Sequence, residues 1–160
     1  MIVYEATKEE FCNSVLLGSI SDEIYDGAII KLDYFNDLSI EGTTITVGAA
    51  YSIMKLANKA CILELTGLEF AAGIPGTVGG CIYMNAGAYN SDMGYVVKKV
   101  VVLNPFYEVE TIYNKDLNFH YRTSFFQNNK DYIILSAVIS LRKGKKDAIK
   151  EVMEDRKKRR

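Results

Sequence analysis

Short β-branched or period-two runs recur along this chain between turn residues, and strands dominate the reading. Residues 1–4 are apolar and β-branched and predict a short strand. Residues 6–15 predict a helix with Thr7 as N-cap and Glu9 and Glu10 in its first turn, while 16–26 carry turn residues without a clear period. A strand over 28–32 follows the Asp26–Gly27 turn signal. Residues 38–40 and 44–47 predict the arms of a hairpin around Glu41–Gly42. Ser52 predicts the cap of a helix through Ala60, with Ile53, Leu56, Ala57 and Ala60 on its apolar face. Beyond it, 96–103 and 131–141 are β-branched runs that predict buried strands. Residues 107–113 alternate as a return strand after Asn104–Pro105, and 114–118 predict a turn with a short helical element. Asp147 predicts the cap of a last helix with Ala148, Ile149, Val152 and Met153 on one side, running into a basic end. Strands outnumber helices in an order that is not a βαβ alternation. The fold class expected is therefore α+β, with a mixed or antiparallel sheet and flanking helices.

One stretch breaks the period. Residues 67–89, GLEFAAGIPGTVGGCIYMNAGAY, hold half of the chain's 12 glycines and one of its 2 prolines, and their only formal charge is Glu69. Glycine loses more backbone entropy on folding than any other residue, so this density requires a cause. Either the backbone turns where a Cβ would clash, or it comes close to a ligand with its N–H groups aimed at it. The apolar residues between the glycines exclude a flexible linker, which would be polar. The backbone over Gly73, Ile74, Pro75, Gly76, Thr77, Val78, Gly79 and Gly80, with an N–H on every residue but the proline, predicts a nest for a phosphate, with a tight structural turn as the equal alternative. In residues 85–88, Asn85 offers an amide donor and acceptor beside Ala86, Gly87 and Ala88, with a helix end capped by Gly87 as the alternative. The spacing is neither that of a dinucleotide fingerprint nor that of a P-loop.

Composition narrows the function classes. A net charge of −1 gives no global field for nucleic acid or acidic membranes. No apolar run approaches the roughly 18 residues of a membrane span, and the first residues do not form a secretory signal. Cys12, Cys61 and Cys81 lack metal-site spacing and are expected as buried free thiols in a reducing cytoplasm; no metal site is expected. With a single histidine, His120, neither a His-based metal site nor a triad relying on several histidines is expected, and His120 itself reads as structural before catalytic. Beside it, Tyr121-Arg122-Thr123-Ser124-Phe125-Phe126 sets an arginine between an aromatic ring and two hydroxyls. A guanidinium there can grip a carboxylate with two parallel hydrogen bonds, or sit in a surface ion pair.

Taken together, YDGAIIKL (25–32), TITVGAA (44–50), the glycine stretch (67–89) and FHYRTSFFQ (119–127) resemble the UDP-N-acetylenolpyruvoylglucosamine reductases, also called UDP-N-acetylmuramate dehydrogenases, of peptidoglycan synthesis. The resemblance runs from about residue 25 to the end. It implies an FAD-binding domain of the PCMH type, shared with vanillyl-alcohol oxidase-like enzymes, here incomplete. It further implies a cytoplasmic oxidoreductase in which FAD carries a hydride from NADPH to the enolpyruvyl double bond of a UDP-sugar. By resemblance, residues 73–80 and 85–88 line FAD, Arg122 binds and polarises the substrate carboxylate, and Tyr121 shapes the substrate site. The domain division expected is 1–24, a shortened first FAD subdomain, 25–145, a second one, and 146–160, a helix leading to a substrate domain. That domain carries the family's serine and glutamate and is expected outside these residues, so the chain alone is expected to be inactive. Two local departures stand out. Residues 13–24 replace a glycine- and asparagine-containing loop against the pyrophosphate, and Asn90 stands where the family often has glycine. The alternatives are a non-catalytic, degenerate flavin or nucleotide module, and a fragment that associates with itself or with a substrate-domain polypeptide.

Overall fold

A computed structural model describes residues 2–5 and 28–159. The helix expected over 6–15, the turns of 16–26, the departing loop 13–24 and Cys12 lie outside the described residues. In chain order, the first half comprises β1 (Ile2–Glu5), β2 (Ala28–Lys31), β3 (Leu38–Glu41), β4 (Thr44–Gly48), α1 (Ile53–Ile62), β5 (Leu65–Thr66) and α2 (Val78–Tyr83). There follow β6 (Gly87–Ala88), β7 (Ser91–Asp92), α3 (Met93–Val96), β8 (Val97–Leu103), β9 (Val109–Tyr113), α4 (Phe125–Asn128), β10 (Ile133–Ser140), β11 (Arg142–Lys143) and α5 (Lys146–Lys158).

Five strands form one antiparallel sheet in the order β3-β4-β10-β8-β9, and β1 pairs with β2 in parallel. The β3–β4 hairpin closes on Gly42–Thr43, one residue later than the pattern predicts, because Glu41 pairs with Thr44. Gly42 takes φ +62, the conformation a two-residue hairpin turn requires at its first central position.

The central strand β10 owes its two-sided burial to a bulge. Its register against β8 steps from Ile134↔Val102 to Ser136↔Val101, leaving Leu135 as the extra residue. Ile134, Ala137 and Ile139 therefore all face the main core, whereas Ile133 and Leu135 join Phe35 and Leu103 in a second cluster. The Leu135 carbonyl accepts the Ala49 N–H at 2.9 Å and so fixes the exit of β4.

Helix α1 begins as expected, with the Ser52 side chain accepting the Lys55 N–H, and it runs two residues beyond Ala60. Ile53, Leu56, Ala57, Ala60 and Cys61 are buried in the main core with Ile45, Val47, Val100 and Ala137 of the sheet. Each fully buried aliphatic chain of this kind contributes about 1.5–3 kcal/mol relative to an exposed one. Lys145, not Asp147, is the N-cap residue of α5; Asp147 lies inside the first turn, where its charge favours the helix dipole. Only Ile149 and Met153, one turn apart, are buried on that helix.

Candidate functional site

The glycine stretch contains a helix that its composition hides. Thr77 is extended and its hydroxyl accepts the Gly80 N–H, so Val78–Tyr83 starts a helix with two glycines inside it. This corrects the continuous nest expected over 73–80. The Val78 N–H donates to the Tyr51 carbonyl, Gly79 to Ala49 and Ile74 to Ala71, so these donors are spent inside the fold. Gly73 also has its own partner. Among the described residues, the N–H groups of Gly76 and Thr77 have no backbone acceptor.

The glycines divide by cause. A Cβ at Gly79 would lie 3.0 Å from the Ala49 Cβ, so that glycine lets α2 seat on the end of β4. A Cβ at Gly87 would lie 2.5 Å from the Ser91 carbonyl oxygen, so that one lets β6 pair with β7. Gly76 differs from both. Its φ is +139 and nothing lies within 4 Å of its Cβ position. Pro75, Gly76 and Gly80 form the exposed side of this end of α2, while Val78, Gly79, Cys81 and Ile82 face the core; Ile74 is half-buried. Glu69, the stretch's lone charge, accepts from the Gly67 N–H and the Thr66 hydroxyl, which settles it as a turn brace.

The other end of α2 closes on Asn85 rather than on Gly87. Asn85 has φ +40, its N–H donates to the Ile82 carbonyl and the Ala86 N–H donates to Cys81 at 2.7 Å. This is a Schellman cap with asparagine in the left-handed position. The side chain is 2% exposed; Nδ2 donates to the His120 carbonyl at 2.8 Å and Oδ1 accepts the Gly94 N–H at 2.9 Å. Its amide is thus consumed by protein. Ala86 is buried, and Gly87 and Ala88 form the half-buried strand β6. The β6–β7 hairpin turns on Tyr89 (φ +56) and Asn90 (φ +59), the pair of positive angles that a type I′ turn requires. Asparagine tolerates that angle, so position 90 does not require glycine. The Tyr89 hydroxyl donates to the Arg156 carbonyl of α5 at 2.8 Å.

Arg122 occupies the tip of a tight turn docked on this same end. His120 and Thr123 exchange both backbone hydrogen bonds, at 3.0 and 3.1 Å, so Tyr121 and Arg122 are the two central residues. Arg122 has φ +55, which a type II turn normally assigns to glycine or asparagine. Three side chains hold the turn against the end of α2 or against itself. Ser124 Oγ donates to the Tyr83 carbonyl at 2.6 Å, Gln127 Nε2 donates to the Arg122 carbonyl at 2.8 Å, and Asn85 reaches His120. Tyr121 is 88% exposed and the guanidinium stands 5.8 Å from its ring centre. Among the described residues no carboxylate pairs with Arg122, so the ion-pair alternative is not what occupies it. Ser124 and Gln127 belong to the site although sequence reasoning gave them no separate role; the cap position of Ser124 before Phe125–Asn128 was the available signal.

Thus α2 joins the two parts of the predicted site. Asn85 and the Arg122 turn meet directly, and the 73–77 loop lies at the other end of a six-residue helix, about 9 Å long at 1.5 Å per residue. A cleft of about 420 Å³ opens beside the turn, between Asp92–Tyr95 and 114–120, and includes none of the 73–80 loop. Among the described residues no cluster of ligands fits a metal and no helix is long and apolar enough to cross a membrane.

Cys61 and Cys81 are free and buried, as expected. Burial pushes the Cys81 thiol up from 9.0 to about 11. The unfolded chain ionises first, so this group's contribution to stability is complete below pH 9 and is lost as pH rises through about 11. Two pH steps at about 1.4 kcal/mol each amount to roughly 3 kcal/mol. Denaturant unfolding at pH 8 and pH 11 should show a larger loss for the unaltered chain than for Cys81→Ala. Equal losses would show that Cys81 does not drive the change.

The loop suits a dinucleotide's pyrophosphate through neutral donors. Gly76 leaves open the space a side chain would fill, two N–H groups await acceptors, and no lysine or arginine lies within 67–89. The chain is also similar to known proteins. Residues 14–106, more than half of the chain, match the model of the family described as FAD binding domain. The chain belongs to the FAD-binding domain family. A UDP-N-acetylenolpyruvoylglucosamine reductase of Anoxybacillus flavithermus is 43% identical over 139 residues, 86% of this chain and 46% of that protein. The protein of the same name from Caldanaerobacter subterraneus subsp. tengcongensis is 44% identical over 141 residues, 88% of this chain and 46% of that one. The crystal structure of the reductase from Thermus caldophilus superposes with a TM-score of 0.77 at 27% identity, covering 87% of this chain and 50% of that one. The chain therefore spans about half the length of the relatives it matches.

Proposed function

We propose that this chain is the flavin-binding part of a reductase that converts UDP-N-acetylglucosamine-enolpyruvate to UDP-N-acetylmuramate in the cytoplasm, with NADPH as hydride donor. The observation that carries this reading is Arg122, a guanidinium without a carboxylate partner among the described residues, held in a strained turn on the helix whose other end is the open glycine loop. Bound FAD would supply the two-electron carrier between NADPH and the enolpyruvyl double bond. The Gly76 and Thr77 N–H groups would donate to its pyrophosphate, with 73–80 and 85–88 lining it. Arg122 would bind the substrate carboxylate through two parallel hydrogen bonds and stabilise negative charge as it develops there. Tyr121, beside it, would bound the sugar site. Residues 1–24 and 25–145 would be the two flavin subdomains, and 146–160 would lead toward the substrate domain.

On this reading the 160 residues bind FAD but need the relatives' remaining half for proton transfer. Purified chain with FAD should oxidise NADPH no faster with the enolpyruvyl sugar than without it. Adding the substrate-domain half of the Anoxybacillus relative in trans should produce sugar-dependent oxidation. Turnover by the chain alone would contradict the division of labour. No turnover from the mixture, despite FAD uptake and association of the two halves, would contradict the assigned reaction.

A further inference from the structure

We propose that Asn85 is a positioning residue for Arg122, acting through the His120 carbonyl; its role toward a substrate carboxylate rests on the function proposed above. The amide orientation is unambiguous, because one neighbour is an N–H and the other a carbonyl, so Oδ1 must face Gly94 and Nδ2 must face His120. The His120 carbonyl accepts twice, from Thr123 N–H and from Asn85, and the first of these bonds closes the turn that carries Arg122. Asn85 thus holds the closing peptide of the turn itself. The other side of the clamp is anchored. Gly94, which accepts no Cβ because Phe119 would lie 2.9 Å from it, is held at its carbonyl by Asn114 Nδ2 at 2.9 Å. The same Asn114 nitrogen donates to the Val97 carbonyl at 2.7 Å, at the start of β8. A chain of side-chain amides therefore runs from the central sheet through Asn114, Gly94 and Asn85 to the arginine turn. A non-glycine residue at φ +55 persists only where its surroundings over-determine it, and this chain is what does so. Asn85 itself sits at φ +40, which asparagine tolerates, so one residue both caps α2 and aims the turn.

Asn85→Asp retains the acceptor for Gly94 and loses the donor to His120. Hydrogen exchange on the full chain, without ligand, should show the His120 and Thr123 amides exchanging at least about tenfold faster, with the β10 amides unchanged. Unchanged turn amides, or β10 amides rising in parallel, would overturn the clamp. In a second arm, the FAD-loaded chain is titrated with UDP-N-acetylglucosamine-enolpyruvate and binding is read from flavin absorbance. Asn85→Asp and Arg122→Ala should each weaken binding, and the double variant should bind no more weakly than Arg122→Ala, since both remove one interaction. Additive losses would overturn action through Arg122. Sugar binding that ignores Arg122→Ala would overturn the functional reading and the carboxylate role with it, while the exchange rates decide the clamp on their own.

Discussion

Replacing Arg122 with glycine is expected to make the protein more stable and, in the reconstituted reductase, nearly inactive. Arginine at φ +55 stores strain of order 1 kcal/mol that glycine does not. The turn's fastening survives the change, because Gln127 and Asn85 bond to backbone carbonyls and Ser124 bonds to Tyr83. A gain of about 1 kcal/mol corresponds to a melting temperature about 2–4 °C higher in a chain of this size. The guanidinium, by contrast, has no carboxylate partner among the described residues, and on the function proposed above it is the group that grips the substrate carboxylate. Loss of one such preorganised group costs about 10²–10³ in rate. Arg122→Lys should recover little of it, because an ammonium cannot make the two parallel bonds. Calorimetry and kcat/KM measured on the same preparations decide the matter. A glycine variant that melts lower, or one that keeps its rate, contradicts the placement of Arg122 as a strained functional residue.

Gly48→Ala should be severely destabilising for a change of one methyl group. A Cβ there would lie 2.0 Å from the Phe35 carbonyl oxygen and 2.4 Å from its carbon, both backbone atoms that no rotamer change can move. The displaced segment is fastened to β4 on either side of the clash, Gly48 N–H to the Asp37 carbonyl and Ala50 N–H to the Phe35 carbonyl. Those two bonds and the seat of Phe35 over Leu103 and Leu135 must yield together. A cost of about 3–5 kcal/mol follows, the range of severe core substitutions, with a melting temperature lower by roughly 10 °C or more. The damage should reach the glycine loop, because the next residue, Ala49, accepts the Gly79 N–H and carries α2. Gly80→Ala is the matched control. Its Cβ meets only Thr77 Oγ1 at 3.4 Å, and inside a helix the change should be neutral or stabilising by up to about 1 kcal/mol. Equal effects of the two substitutions would remove the close approach of Phe35 as the reason for glycine at 48.

The contrast between these glycines also explains what could be read from the sequence. The hairpin of β3 and β4, helix α1 and strands β8 and β10 announce themselves, because their signals are local: a Gly turn, a Ser cap, a run of β-branched residues. Helix α2 does not. Gly79–Gly80 argues against helix on propensity, and the reason for Gly79 is Ala49, thirty residues away and invisible to any window. Likewise, Asn85 reads as a ligand-binding amide until His120 and Gly94 arrive to occupy it. Arg122 stands out in the sequence by its neighbours, yet nothing in Tyr-Arg signals a left-handed backbone, since that angle is imposed by the clamp around it. The four stretches that resemble the reductases remain informative throughout. Three of them, 44–50, 67–89 and 119–127, coincide with the Gly48 approach, the two ends of α2 and the arginine turn, where close backbone contacts and positive φ angles leave little freedom.

On the proposed function, the Gly76–Thr77 end of α2 belongs to a flavin site. FAD titration of the purified 160-residue chain, followed by flavin absorbance and melting temperature, tests it most directly. Saturation near one FAD per chain is expected, with a structured visible flavin band and a melting temperature that rises with FAD concentration, because a ligand bound only by the folded state stabilises it by mass action. A colourless chain whose melting temperature does not move at millimolar FAD would contradict it.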